Sequence, residues 1–195
     1  MNLSATFAAM SMLTSMVFGS ASPGADEVAL HGIFSDHMVL QREMKLPVWG
    51  TAAAGHEVTV TFNGAAASAV ADANGRWIVE LPAQSASKTS RELKVLAGGE
   101  PRLTVSDVLV GEVWVCAGQS NMEWRTNQEA TWATEQASAT LPHVRLRNMG
   151  YAGQGHAASG YSAAIVARQT PSQFYNATAW AACDATSAAP FSAVG

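Results

Sequence analysis

The chain has 195 residues, of which 13% are charged, and a formal net charge of −4. With no basic patch and so few cations, it lacks the electrostatic footprint of a protein that binds nucleic acid by displacing counterions. The length suffices for one large or two small domains, each able to bury a core.

In chain order, the first charged residue is Asp26, and Ala5 to Phe18 before it is largely apolar and Met-rich, followed by Gly19, Ser20 and Ala21. An apolar segment and then small residues is the layout of a secretory signal peptide, here over 1–21 with cleavage near Ala21, although no Lys or Arg marks its start. The expectation is export, as a secreted, periplasmic or lysosomal protein; an ordinary amino-terminal arm is the alternative. The apolar stretch is too short for a membrane span, which needs roughly 20 residues.

From Val28 to about Ser106, short apolar or alternating runs are separated by turn signals. The expected strands are Val28 to Ile33, Met38 to Gln41, Pro47 to Thr51, Glu57 to Phe62, Ala66 to Ala71, Arg76 to Leu81, Glu92 to Ala97 and Arg102 to Ser106. Between them lie Ala54-Gly55, Asn63-Gly64, Asn74-Gly75 and Gly98-Gly99, and Asn-Gly is a strong hairpin signal because both positions tolerate positive φ. This spacing indicates an antiparallel sandwich or barrel. Val58, Val60 and Phe62 alternate with Thr59 and Thr61, which makes one face apolar and the other polar. Trp49, Trp77 and Phe34 are the expected large core fillers, with sugar stacking by the tryptophans as the alternative.

The pattern changes near Val108. Val108 to Ala117, interrupted only by Gly111 and Glu112, reads as a strand covered on both faces, which places Cys116 in a buried position. Thr126 and Glu129 are spaced as a capping box ahead of a helix over Ala130 to Ala139, ended by Leu141-Pro142. His143 to Met149 reads as a strand and Gly150 to Gly160 as a loop. Ala163 to Ala167 reads as a short strand, and Phe191 to Gly195 as the opening turn of a helix. Cys116 and Cys183 are expected to stay unpaired, although export permits a disulfide. Asn176-Ala177-Thr178 is an N-glycosylation sequon on Asn176, meaningful only in a eukaryote.

Gly118-Gln119-Ser120-Asn121-Met122 places a serine in a small polar turn after an apolar run, at the carboxyl end of the expected strand. That is where open α/β sheets bind ligands and where serine hydrolases put their nucleophile; ordinary turn chemistry is the competing explanation. A serine hydroxyl needs a base and a set of oxyanion donors. Downstream the histidines are only His143, which fits a surface or strand-edge position, and His156, in the glycine-rich loop; the only later aspartate is Asp184. Asp36-His37 fits a turn better than half of a triad. No metal-ligand spacing and no phosphate loop occur, so neither metal nor cofactor is expected.

Four ordered motifs then carry a resemblance. Phe34-Ser35-Asp36-His37-Met38-Val39-Leu40-Gln41-Arg42, Pro47-Val48-Trp49-Gly50, Asn74-Gly75-Arg76-Trp77 and Val110 through Met122 together resemble the amino-terminal portion of sialate O-acetylesterases, carbohydrate esterases of the SGNH hydrolase superfamily. The resemblance runs from about Val28 to Gly195. It implies a β-sandwich (28–106) followed by a truncated α/β domain of the SGNH-hydrolase-like, three-layer type (108–195). It also implies hydrolysis of acetyl esters on sugars, O-acetylated sialic acid being the namesake. By the same resemblance Ser120 matches the nucleophile, with its own backbone amide as an oxyanion donor, and Gln119 and Asn121 beside it are candidate substrate-binding residues. The family's remaining oxyanion donors and its Asp-x-x-His base belong to later blocks, and no aspartate here is followed three residues later by histidine. The 195 residues alone are therefore expected to have little activity and an apolar sheet face prone to aggregation. A glycan-binding module with Ser120 idle, or a purely structural domain, are the alternatives. The partner expected is an O-acetylated carbohydrate, with no nucleic acid and no membrane span.

Overall fold

The computed structural model describes residues 27–118, 120–151, 162–164, 175–177 and 179–194, and they are mostly β. Eight strands precede the Ser120 region: β1 (Ala29–Leu30), β2 (Val39–Gln41), β3 (Leu46–Thr51), β4 (Glu57–Phe62), β5 (Ala65–Val70), β6 (Arg76–Leu81), β7 (Ser87–Ala97) and β8 (Glu100–Gly111). They form a three-stranded sheet in the order β1-β3-β6 and a five-stranded sheet in the order β2-β8-β7-β4-β5. All these pairs are antiparallel except β2 with β8.

Period-two alternation explains why both sheets contribute to one core. Val58, Val60 and Phe62 of β4 are almost wholly buried, as are Trp77, Val79 and Leu81 of β6, and they join Leu93 and Val95 of β7 in a single cluster. Thr59 and Thr61 point the other way, and the Thr59 hydroxyl meets Ser68 Oγ on β5 at 2.8 Å. Trp77 fills the core as expected. Trp49 and Phe34 do not: they are half-buried and meet edge-on at 4.7 Å on the core's margin, because Trp49 alternates with buried Leu46 and Val48 and so lies on the other face of β3, opposite exposed Ile78.

Asn63-Gly64 forms the hairpin between β4 and β5, with φ of 48° and 79° at the two positions, the left-handed pair that a two-residue turn requires. Asn74-Gly75 does not form a hairpin. It connects β5 to β6, which lie in different sheets, and Asp72 Oδ1 organises it by accepting the Asn74 and Arg76 amides, each at 2.8 Å.

The strand expected to continue to Ala117 stops at Gly111. Val108, Leu109 and Val110 are buried, but Trp114 and Val115 are 83% and 88% exposed, and Cys116 is exposed as well. The pairing explains the difference: β2 last meets β8 at Gln41–Gly111, and β7 last meets it at Ser87–Val110. Beyond that point no described strand pairs with the chain, and an apolar run without a ladder is no strand.

After Ser120 come α1 (Trp132–Glu135), β9 (Leu141–Leu146), β10 (Met149–Tyr151), β11 (Tyr175–Ala177), β12 (Ala181–Cys183) and α2 (Ala185–Ala188), with β9 paired to β12 and β10 to β11. The expected helix over Ala130 to Ala139 is broken into α1 and a 3-10 turn at Gln136–Ser138. Its proposed box does not form: the Thr126 hydroxyl donates to the Phe191 carbonyl, and Glu129 accepts from Trp124 Nε1. The strand expected over His143 to Met149 is realised as β9 and β10, two residues apart. Ala163 and Ala164 are helical rather than extended. Ser192 forms a β-bridge with Arg125 instead of opening a helix, and the short helix is α2, capped by Asp184, which accepts the Ser187 amide at 2.8 Å. The stretches 1–26 and 152–161, and with them the proposed signal peptide, lie outside the described residues.

Candidate active site

Ser120 opens a 3-10 turn, Ser120–Glu123, and is exposed. Among the described residues its Oγ has no hydrogen-bond partner, and as the first residue of the turn its amide has no partner within it. Gly118 makes the turn possible: a Cβ there would lie 2.4 Å from Cγ of Met122, which folds back over it. Asn121 is exposed, and its carbonyl accepts the Trp124 amide at 3.2 Å. Gln119 lies outside the described residues.

The turn is backed by the last described residues. Ala193 donates to the Trp124 carbonyl at 2.8 Å, Thr126 to the Phe191 carbonyl at 2.9 Å and Asn127 to the Ala189 carbonyl at 3.1 Å. These backbone bonds span more than sixty positions of sequence, so local reading had no signal for them. No described histidine or carboxylate bonds Ser120. His143 is exposed on β9, as a strand-edge residue would be; Asp184 is occupied as the cap of α2; and His156 lies outside the described residues. Asn176 lies on β11. Neither cysteine is in a disulfide, and burial together with nearby Asp184 pushes the Cys183 thiol up. No described group of three or more His, Cys, Asp or Glu is placed to hold a metal, and no described helix is long and apolar enough to cross a membrane.

A second polar constellation lies where the loop after β1 meets β8. Between Arg91 and Leu93 the β7–β8 register slips by one residue, so Asp107 sits in a bulge, at φ 52°. Bulges re-aim side chains, and this one turns the Asp107 carboxylate toward His37 Nδ1 at 2.7 Å and Arg145 Nη2 at 2.9 Å. The His37 bond holds the Asp107 carboxyl below its ordinary value, burial opposes it, and Ser90 and Arg145 add to the lowering. The Asp36-His37 turn is confirmed: Asp36 Oδ1 accepts the Ser106 amide at 2.7 Å, and His37 donates to the Ser106 carbonyl at 3.0 Å. Nearby, Arg147 donates to the carbonyls of Gly32 and Ile33, and Trp180 Nε1 to that of Ile33 at 2.9 Å. These contacts join β9 and the approach to β12 to the loop that holds the first motif.

No protein-family model matches the chain. The sialate O-acetylesterase of Mus musculus is 31% identical over 121 residues, 57% of this chain and 22% of that protein. The Rattus norvegicus enzyme is 33% identical over the same shares. Over that stretch the chain is similar to the sialate O-acetylesterases, the family its motifs resemble. It spans only about a fifth of these curated relatives, which are esterases. Among solved structures, a carbohydrate acetylesterase from Xanthomonas citri superposes with a TM-score of 0.71 at 32% identity, covering 87% of this chain and 35% of that one.

Proposed function

We propose that the chain is the amino-terminal part of a carbohydrate O-acetylesterase, exported after removal of residues 1–21: a β-sandwich whose last strand, β8, runs on to Gly111 rather than ending at Ser106, followed by part of an SGNH-type α/β domain. The observation that carries this reading is the likeness to the Xanthomonas citri acetylesterase across 87% of the chain; the exposed turn at Ser120 supports it.

In this mechanism Ser120 Oγ attacks the acetyl carbonyl carbon of a sugar ester while a base takes its proton. The carbonyl oxygen becomes an oxyanion, and the Ser120 amide, unengaged at the start of its turn, is one donor toward it. Collapse expels the sugar hydroxyl, which recovers a proton, and water then hydrolyses the acetyl-serine by the same route. Asn121 and Gln119 flank the nucleophile and are assigned to the substrate. The base and the further oxyanion donors lie outside these 195 residues in this reading, so the chain alone turns over slowly.

The experiment is acetate release from an O-acetylated sialic acid and from an acetylated neutral sugar by a longer chain that carries these residues, measured with and without Ser120→Ala. Loss of all release in the variant supports the assignment. Sugar binding that survives Ser120→Ala, with no release by any longer chain that carries these residues, replaces it with a glycan-binding module.

A further inference from the structure

The route from the β-sheet to Ser120 begins at a side chain that imitates backbone. Strands β2 and β8 run parallel to their last pair, Gln41–Gly111, and the Arg42 amide donates to the Gly111 carbonyl at 2.9 Å. There β2 ends, and the carboxamide of Gln41 takes over. Its Oε1 accepts the Val113 amide at 2.8 Å, and its Nε2 donates to Glu112 Oε2 at 3.0 Å. The other oxygen of Glu112 takes Arg42 Nε at 2.5 Å.

A carboxamide offers the same donor and acceptor as a peptide group, so Gln41 extends the ladder beyond the end of its own strand. The Arg42–Glu112 pair is solvent-exposed on both sides and contributes little by itself. The bond to Val113 is different, because it fixes the direction in which the backbone departs just before Trp114 and Val115, which nothing described covers. Hydrogen bonds from Gln41 and then Arg42 hold the Glu112 carboxyl below its ordinary value, so the acceptor stays ionised.

We propose that Gln41, acting through Glu112 and Val113, is a positioning residue for Ser120. The idea rests on Ser120 being the nucleophile, but its geometry is tested without catalysis. In the 195-residue chain, Gln41→Ala should speed hydrogen exchange at the Val113 amide by roughly three- to ten-fold, the factor one ordinary hydrogen bond represents. In a Cys116→Ser, Ser120→Cys background, a nitroxide at position 120 should gain mobility, while the thermal midpoint and exchange at Val60 stay unchanged. Gln41→Glu sets two carboxylates face to face and should loosen both readouts. Gln41→Glu combined with Glu112→Gln exchanges donor and acceptor and should restore them. Unchanged exchange and an unchanged nitroxide spectrum in Gln41→Ala overturn the proposal, as does failure of the exchanged pair to rescue. A positive result in a protein that cleaves no ester establishes the positioning and refutes only the nucleophile.

Discussion

His37 Nδ1 lies 2.7 Å from Asp107 Oδ2, joining residues seventy positions apart, each with its backbone in the left-handed region. A carboxylate only accepts, so Nδ1 carries the proton and Nε2 is left for solvent. Arg145, whose side chain is 4% exposed, donates to the same oxygen. Two strained non-glycine residues are kept because this three-way contact holds β9 against the first motif.

The pH dependence follows from the direction of the Asp107 shift. A carboxyl whose folded value lies below its ordinary 3.8 contributes stability that is complete above that value and lost as pH falls through the folded one. Thermal midpoints should therefore fall below about pH 4, and Asp107→Asn should flatten that part of the curve. The variant should also lose roughly 2 kcal/mol at neutral pH, since the buried Arg145 guanidinium keeps carbonyl acceptors but loses its only described carboxylate partner. Urea melts at pH 7 and pH 3 check both.

The core makes a plainer demand. Phe62 is 1% exposed at the centre of the shared cluster, so Phe62→Ala should cost about 3–5 kcal/mol in urea unfolding. Val70→Ala, on the solvent side of β5, should change the midpoint little.

Gly118 is required by contact rather than by its φ. Gly118→Ala should displace the Ser120 turn, seen as shifted amide resonances at Ser120 and Asn121 with little loss of thermal stability. Adding Met122→Ala removes the Cγ at 2.4 Å and leaves Cβ at an ordinary 3.6 Å, so the double variant should return the resonances toward their original positions.

The two thiols should react with a thiol reagent at different rates. Exposed Cys116 should react with a disulfide reagent within seconds at neutral pH. Cys183 is buried, its Sγ donates to the Ala139 carbonyl at 3.3 Å, and its thiol is pushed up, so it should react only on unfolding.

Most of the amino-terminal strands were legible because period-two alternation and turn residues act locally. Glu57–Phe62 and Arg76–Leu81 were found at their observed bounds. Asn63-Gly64 and Asn74-Gly75 share a dipeptide but not a fold, because the Asp72 side chain directs the second chain reversal into the other sheet. The motif marked Ser120 as a candidate and the turn there is observed, but the strand expected to lead into it ends at Gly111. The Asp107 bulge was not, since its partners are His37 and Arg145, although a lone aspartate in an apolar strand is a signal for one. Val108 to Ala117 misled because apolarity shows what a segment will bury, not whether a strand stands beside it.

In the proposed function Ser120 is the ester-cleaving nucleophile. The most direct measurement replaces the aligned segment of the Xanthomonas citri acetylesterase with these residues and follows acetate release from an acetylated sugar. The chimera should be active, with a kcat that falls by roughly 10³- to 10⁶-fold on Ser120→Ala. An active chimera indifferent to Ser120→Ala would contradict that role.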